Sequence, residues 1–200
     1  MPQRVADQIV DKHAMSPDPK IDSDVVYESR VIPSMGTQLE VVLVHSDKNL
    51  LAGLLNEIAE EATRLDNKLS HYKVTSDVSR INRAAGVEPV LVDYEMIDIL
   101  EQVIDTYYQT NGAFDVTVGP LLKLWGFFDK YHRVPDESEI EKVKSLVGSD
   151  KIRINRARHR VFLEKKGMSL DLGAFGKGYA LESIAKILRQ HTNVSAFLSF

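Results

Sequence analysis

The chain has no cysteine in its 200 residues. That excludes disulfides, thiolate metal sites, a cysteine nucleophile and a lipid-anchored cysteine within this sequence. No apolar run approaches the roughly 18 residues of a membrane-spanning helix. Residues 1–24 are polar, carry prolines and contain no apolar core segment. They do not read as a signal peptide and are expected to form a disordered tail. A strong excess of either charge is also missing. The 25 Lys and Arg stand against 29 Asp and Glu, a net charge of −4, which does not favour non-specific nucleic-acid binding. A cytoplasmic, reducing location is the default expectation.

What is present is the material for a core. The composition is 44% hydrophobic and 27% charged, as in a soluble globular chain. The length suggests one sizeable domain or two small ones. Residues 25–32 and 39–44 are rich in β-branched side chains around an interrupting Met35-Gly36-Thr37, which predicts a strand pair with a turn or bulge. Leu51, Leu54, Ile58, Ala62, Leu65 and Leu69 recur every three or four residues, the stripe of a helix capped by Asp47. A second stripe (Met96, Ile97, Leu100, Val103, Ile104) follows Asp93 and stops at Asn111-Gly112. Asp136 through Glu139 form a capping-box pattern for a third helix. Residues 151–154 and 160–164 predict a hairpin with a basic loop (Arg156, Arg158, His159), a solvated tip rather than a nucleic-acid patch. These elements predict an α+β fold, a largely antiparallel sheet flanked by the helices near residues 48–65 and 94–110. A doubly wound parallel sheet is the alternative.

The stretch from Leu170 to Ala180 reads DLGAFGKGYA after its first residue. A short apolar run enters it (Met168, Leu170, Leu172) and an amphipathic pattern leaves it (Leu181, Ile184, Ile187, Leu188). This predicts strand, glycine-rich turn, helix. Unpartnered amides at a helix start carry partial positive charge and bind anions. Lys177 adds a full charge and Asp171 a carboxylate. The glycine order is neither the dinucleotide-binding nor the Walker pattern. A plain glycine-rich turn therefore stands beside the phosphate-site reading. Residues 69–82 are too polar for core and are expected to form a loop. His71 and Tyr72 could stack on or hydrogen-bond a ligand there, or the segment is a surface loop with serine caps. Asp115 lies between apolar neighbours and must find donors, as a structural cap or as a ligand contact.

Four separated pieces lie in one order. They are Met35-Gly36-Thr37; Leu69-Ser70-His71-Tyr72 with Ser76 through Arg80-Ile81-Asn82; residues 112–121 (GAFDVTVGPL); and residues 171–180. Over about residues 27–200 the sequence resembles the ApbE family of FAD:protein FMN transferases. The resemblance implies binding of FAD and Mg²⁺, and transfer of FMN from FAD to a threonine hydroxyl of a target protein with release of AMP. It places Met35, Tyr72, Ala113, Phe114, Asp115, Asp171 and Lys177 at flavin-contacting positions. It places Ala174 where a backbone carbonyl meets the metal. No catalytic base is assigned. The family's lipoprotein signal and cysteine are absent from this sequence, and periplasmic anchoring is the family alternative to the cytoplasm. The family's Asp/Thr metal motif lies beyond Phe200. The strand pattern at residues 194–200 stops on an aromatic, so the rest of the domain is expected outside this chain. The alternative function is a flavin-binding protein without transferase activity.

Overall fold

The structure is a computed structural model that describes residues 25–128 and 131–200. The expected N-terminal tail lies outside the described residues. In chain order the elements are β1 (Val26–Ser34), β2 (Thr37–His45), α1 (Lys48–Leu69), α2 (Asp77–Arg83), β3 (Val90–Leu91), α3 (Tyr94–Gln109), α4 (Gly119–Leu124), α5 (Glu137–Lys144), β4 (Ile152–Asn155), β5 (Arg160–Leu163), α6 (Gly173–Leu188) and β6 (Ser195–Ser199). They fall into two compact units. One holds the described residues up to Asp66 with Gly176–Phe200, and the other holds Asn67–Phe175.

In the first unit β1 and β2 pair antiparallel, with Ser34 opposite Thr37 across a two-residue turn. Met35 and Gly36 both have positive φ, 51° and 73°. This is the primed turn whose twist suits a hairpin. β6 pairs antiparallel with the other side of β2, giving the order β1-β2-β6. Alternate residues of β2 (Leu39, Val41, Leu43) meet the α1 stripe (Leu51, Leu54, Leu55, Ile58, Ala62) and Ile184 and Leu188 of α6. The period of two on the strand and 3.6 on the helices puts these side chains on facing surfaces. Each such aliphatic burial contributes roughly 1.5–3 kcal/mol. Asp47 Oδ1 accepts from Asn49 N at 2.8 Å and Leu50 N at 3.2 Å, which closes the start of α1.

In the second unit the sheet order is β3-β5-β4, again antiparallel. α3 buries Met96, Ile97, Ile99, Leu100 and Val103, and Asp93 caps it by accepting from Met96 N at 2.9 Å. Lys68, in the last turn of α1, bonds Asp93 and lies 3.5 Å from Asp77 and 3.1 Å from Glu95. Burial disfavours this ammonium, but hydrogen bonds and charge from Asp93 and Glu95 outweigh it and hold its pKa above the usual lysine value. The basic hairpin loop is also matched locally. Arg156 donates to Asp98 and Glu101, both at 2.7 Å, and its guanidinium lies 5.8 Å from the Tyr94 ring centroid. Among the described residues, no helix is long and apolar enough to cross a membrane.

The fold is therefore α+β with antiparallel sheets, and the parallel alternative falls away. Two local expectations are corrected. Residues 69–82 are not all loop, because Asp77–Arg83 is helical. The apolar segment before α6 is not a strand of a sheet. Ser169 forms only a single parallel bridge, to Val118. The two segments approach closely at Gly119, where a Cβ would lie 2.3 Å from Ser169 Oγ and 2.7 Å from Ser169 O. Main chain packs on main chain there, and Met168, Leu170 and Leu172 are buried as a core segment. Gly119→Ala must displace the Ser169 backbone. The expected loss is about 1–3 kcal/mol, an overpacking cost. Urea unfolding checks it as a lower midpoint at unchanged slope.

Candidate functional site

The polar 70–82 segment is organised from inside. Ser76 Oγ donates to Ser70 O at 2.6 Å and accepts from Ser79 N at 2.9 Å, capping α2. Ser79 Oγ donates to His71 O at 3.0 Å. Ser76 and Ser79 are buried. Asn82 pairs with the Leu170 main chain in both directions. Its Nδ2 donates to Leu170 O at 3.0 Å, and its Oδ1 accepts from Leu170 N at 2.7 Å. The turn into α6 is thereby held by a residue 88 positions away.

The next residue carries that constraint forward. Asp171 N donates to Val116 O at 2.7 Å, and Asp171 Oδ1 accepts from Gly173 N at 2.7 Å. A Cβ on Gly173 would lie 2.9 Å from that oxygen, so a side chain there would push the carboxylate aside. Asp171 Oδ2 lies 3.2 Å from His71 Nδ1. The His71 ring sits 3.7 Å from the Tyr72 ring and 4.5 Å from the Phe128 ring, centroid to centroid. Burial pushes the His71 pKa below its ordinary value, and the opposing Asp171 charge does not restore it. A carboxylate can only accept, so Asp171 beside Nδ1 favours the tautomer that carries its proton there, which leaves a lone pair on Nε2.

Asp115 anchors the opposite wall. Its Oδ1 accepts from Thr117 N at 2.8 Å, Thr117 Oγ1 at 2.6 Å and Ser149 Oγ at 2.7 Å. Its Oδ2 accepts from Ser149 N at 3.2 Å. Thr117 Oγ1 in turn accepts from Gly148 N at 2.6 Å. The aspartate among apolar neighbours thus finds its donors within the chain, as the structural-cap reading requires.

Between these walls lies a cavity of about 780 Å³ lined by Ala113, Phe114, Asp115, Asp171, Gly173 and Ala174, with Val116, Val118, Leu121 and Leu122 on its apolar side. The volume is that of a small-molecule site, generally about 300–1,000 Å³. Ala113, Phe114, Asp115, Asp171 and Ala174 are therefore brought together from segments far apart in sequence. Tyr72 is not a wall residue and reaches Asp171 through the His71 ring. Met35 and Lys177 belong to the other unit. Met35 stands at the apex of the β1–β2 turn, where its N donates to Asp66 Oδ1 at 3.1 Å. Lys177 is in the second turn of α6.

One expectation about this turn changes. The first amides of α6 were expected to point outward without partners. Gly173 N is bonded to Asp171 Oδ1, and Phe175 N donates to Leu172 O at 3.0 Å. The local chain occupies the Gly173 and Phe175 amides. Ala174, expected at the metal, is the second residue of the helix. Among the described residues no three His, Asp or Glu side chains gather as metal ligands. The His71–Asp171 and Asn82–Leu170 links were not foreseen. The only signal for them was a segment too polar to be core.

Comparison with known proteins decides the relationship. Residues 35–200 match the profile of the ApbE family. The chain belongs to the ApbE family. The FAD:protein FMN transferase of Escherichia coli K12 is 30% identical over 169 residues, which is 82% of this chain and 48% of that protein. One from Salmonella typhimurium is 33% identical over 162 residues, 78% of this chain and 46% of its own length. The chain thus spans about half the length of the curated relatives it matches. Among solved structures, the ApbE protein of Thermotoga maritima superposes with a TM-score of 0.80 at 33% identity, covering 87% of this chain and 56% of the other. The flavin transferase ApbE of Vibrio cholerae gives a TM-score of 0.77 at 23% identity, over 88% and 57%, and supports the fold alone.

Two outcomes follow from the wiring of this ApbE domain. Thr117→Val removes the acceptor of the Gly148 amide and a donor to Asp115, both inside the structure. A stability loss of about 1–3 kcal/mol is expected, the cost of a buried group left unpaired, and thermal and urea unfolding check it. His71 has a depressed pKa in the folded state, so the unfolded chain binds the proton more readily. Its contribution is fully present above the unfolded histidine value of about 6.5 and is lost as pH falls from there through the folded pKa. Stability measured from pH 7.5 to pH 5 should fall less steeply in His71→Asn than in the parent. Equal slopes would refute the assignment.

Proposed function

We propose that the protein to which this chain belongs is a FAD:protein FMN transferase. In this reading it moves FMN from FAD to a threonine hydroxyl of an acceptor protein and releases AMP, with Mg²⁺ present. The observation that carries the proposal is the cavity at the start of α6. Five residues that the family resemblance assigns to flavin or metal, Ala113, Phe114, Asp115, Asp171 and Ala174, line it together, and the chain is an ApbE family member.

The reaction balances as a displacement at the FMN phosphorus. The threonine oxygen forms the new P–O bond, the bond to the bridging pyrophosphate oxygen breaks, and AMP leaves with that oxygen. The hydroxyl proton passes to solvent or to the leaving phosphate. The chain's own residues supply binding and exclusion of water. Phe114, Val116, Val118, Leu121 and Leu122 give the cavity an apolar face, which strengthens polar interactions inside it. Asp171 and Asp115 offer acceptors at fixed positions. Lys177, a cation in the second turn of α6, is proposed to meet phosphate charge, and Met35 and Tyr72 to contact the flavin. The described residues do not by themselves make a magnesium site. Ala174 offers one neutral carbonyl, whereas Mg²⁺ is commonly held by one or two carboxylates plus phosphate oxygens. Further ligands would come from segments that the longer relatives possess, and no step is assigned to the metal.

The test uses the full-length protein with FAD, Mg²⁺ and a threonine-bearing flavinylation substrate. AMP release and flavin fluorescence that stays with the acceptor on a denaturing gel are the expected results, both abolished by a chelator. Asp171→Asn should lower the transfer rate at least about tenfold, the loss of one charge-assisted contact. FAD binding with no AMP and no bound flavin would replace this reading by the alternative, a flavin-binding protein without transfer.

A further inference from the structure

His71 is assigned no role by the family resemblance, yet its ring holds an unanswered polar atom. Nε2 is buried, and among the described residues it has no hydrogen-bond partner. Buried polar atoms are paired in the great majority of cases, and an exception calls for a reason. The rest of the ring is fixed. Nδ1 faces Asp171 Oδ2 at 3.2 Å, and the main-chain carbonyl of His71 accepts from Ser79 Oγ at 3.0 Å. Asp171, the partner that sets the tautomer, is itself a wall residue of the cavity. With Nδ1 as the donor, Nε2 can only accept.

The cover over the ring is aromatic. Tyr72 and Phe128 lie against it at 3.7 and 4.5 Å between centroids. They meet each other edge-on at 6.2 Å. Neither ring offers the lone pair a donor from its face. Tyr72 is 67% exposed, so it is the part of this cover that solvent already reaches. A lone pair held within a cluster of tilted aromatic rings, beside a carboxylate of the cavity wall, matches a flat heteroaromatic ligand that carries N–H or O–H donors.

We propose that His71 Nε2 is a ligand-binding acceptor that takes a hydrogen-bond donor of bound FAD, with the Tyr72 ring turning aside to admit it. This rests on the reading of the cavity as a flavin-nucleotide site and adds to it a contact and a moving part. His71 is then a binding residue, and through Nδ1 it also positions Asp171.

The test is nitrogen NMR of the full-length protein with ¹⁵N-labelled histidine, titrated with FAD. Before FAD, Nε2 should resonate as an unprotonated nitrogen free of hydrogen bonding. At saturation it should move in the direction of an accepted hydrogen bond while Nδ1 stays protonated. In parallel, His71→Asn keeps a donor where Nδ1 stood and removes Nε2. It should weaken FAD binding about tenfold, the scale of one lost hydrogen bond. His71→Gln, which puts an amide where Nε2 stood, should recover part of that loss. If FAD binds with the parent affinity in both variants, or the Nε2 signal is unmoved at saturation, the proposal is wrong. An Nε2 already hydrogen-bonded before FAD, as by a trapped water, and unchanged after it overturns the proposal in the same way. Failure of FAD to bind at all overturns the flavin-site reading as well. The NMR arm uses the parent protein, so a variant that does not fold cannot shelter the proposal.

Discussion

The structure around the cavity depends on one two-way hydrogen bond. Asn82 answers both the amide and the carbonyl of Leu170 with its side chain. The Leu170 main chain is buried with its side chain, and buried amides and carbonyls must be paired. In a sheet a neighbouring strand would do this. Among the described residues the nearby backbone links are the Val118–Ser169 bridge and the Asp171 N to Val116 O bond, and neither pairs the Leu170 main chain. A side-chain amide substitutes for the missing strand. It fixes the chain one residue before Asp171, and Asp171 then sets the first turn of α6 through Gly173.

The same rule explains why the conspicuous polar residues are so often structural. Ser76, Ser79, Thr117 and Ser149 are buried and use their hydroxyls on their own chain. Asp115 ties the 115–118 segment to Ser149, and Thr117 adds Gly148. Each link replaces a backbone partner that irregular chain lacks. A cavity wall made of turns requires this, because turns leave more unpaired amides than helices or strands do. The cost of any one missing partner, about 1–3 kcal/mol, is a sizeable part of the 5–15 kcal/mol that holds a typical domain together.

This also sets what the sequence could reveal. The β1–β2 hairpin, the α1 and α3 stripes, the Asp47 and Asp93 caps and the capping box at Asp136 were legible because their causes are local in the chain. Periodicity and capping act over a few residues. The β4–β5 hairpin was legible for the same reason. The Asn82–Leu170 and Asp115–Ser149 bonds span 88 and 34 residues. Nothing in the residue types at either end names the other. The strand expected before α6 failed for a related reason. An apolar run looks the same whether it joins a ladder or packs as a single extended segment. Resemblance to a family supplied candidate site residues that local physics could not, and five of them line one cavity.

The two carboxylates of the wall are not equivalent, and lone-pair counting shows how. An ionised carboxylate offers about four acceptor positions, two on each oxygen. Asp115 Oδ1 already takes three donors, from Thr117 N, Thr117 Oγ1 and Ser149 Oγ, and Oδ2 takes one, from Ser149 N. Asp171 takes one donor on Oδ1, from Gly173 N, and its Oδ2 lies 3.2 Å from His71 Nδ1. Asp115 thus meets four donors of its own chain, three of them crowded on Oδ1, while Asp171 meets one hydrogen-bond donor and the facing His71 Nδ1. Asp115 is spent mainly on holding the wall, and Asp171 keeps capacity on both sides while being held in place. Placement by several weak internal bonds, with acceptors left over, is what preorganises a polar group for binding. By that measure Asp171, buttressed by His71, is the better placed of the two to read what enters the cavity.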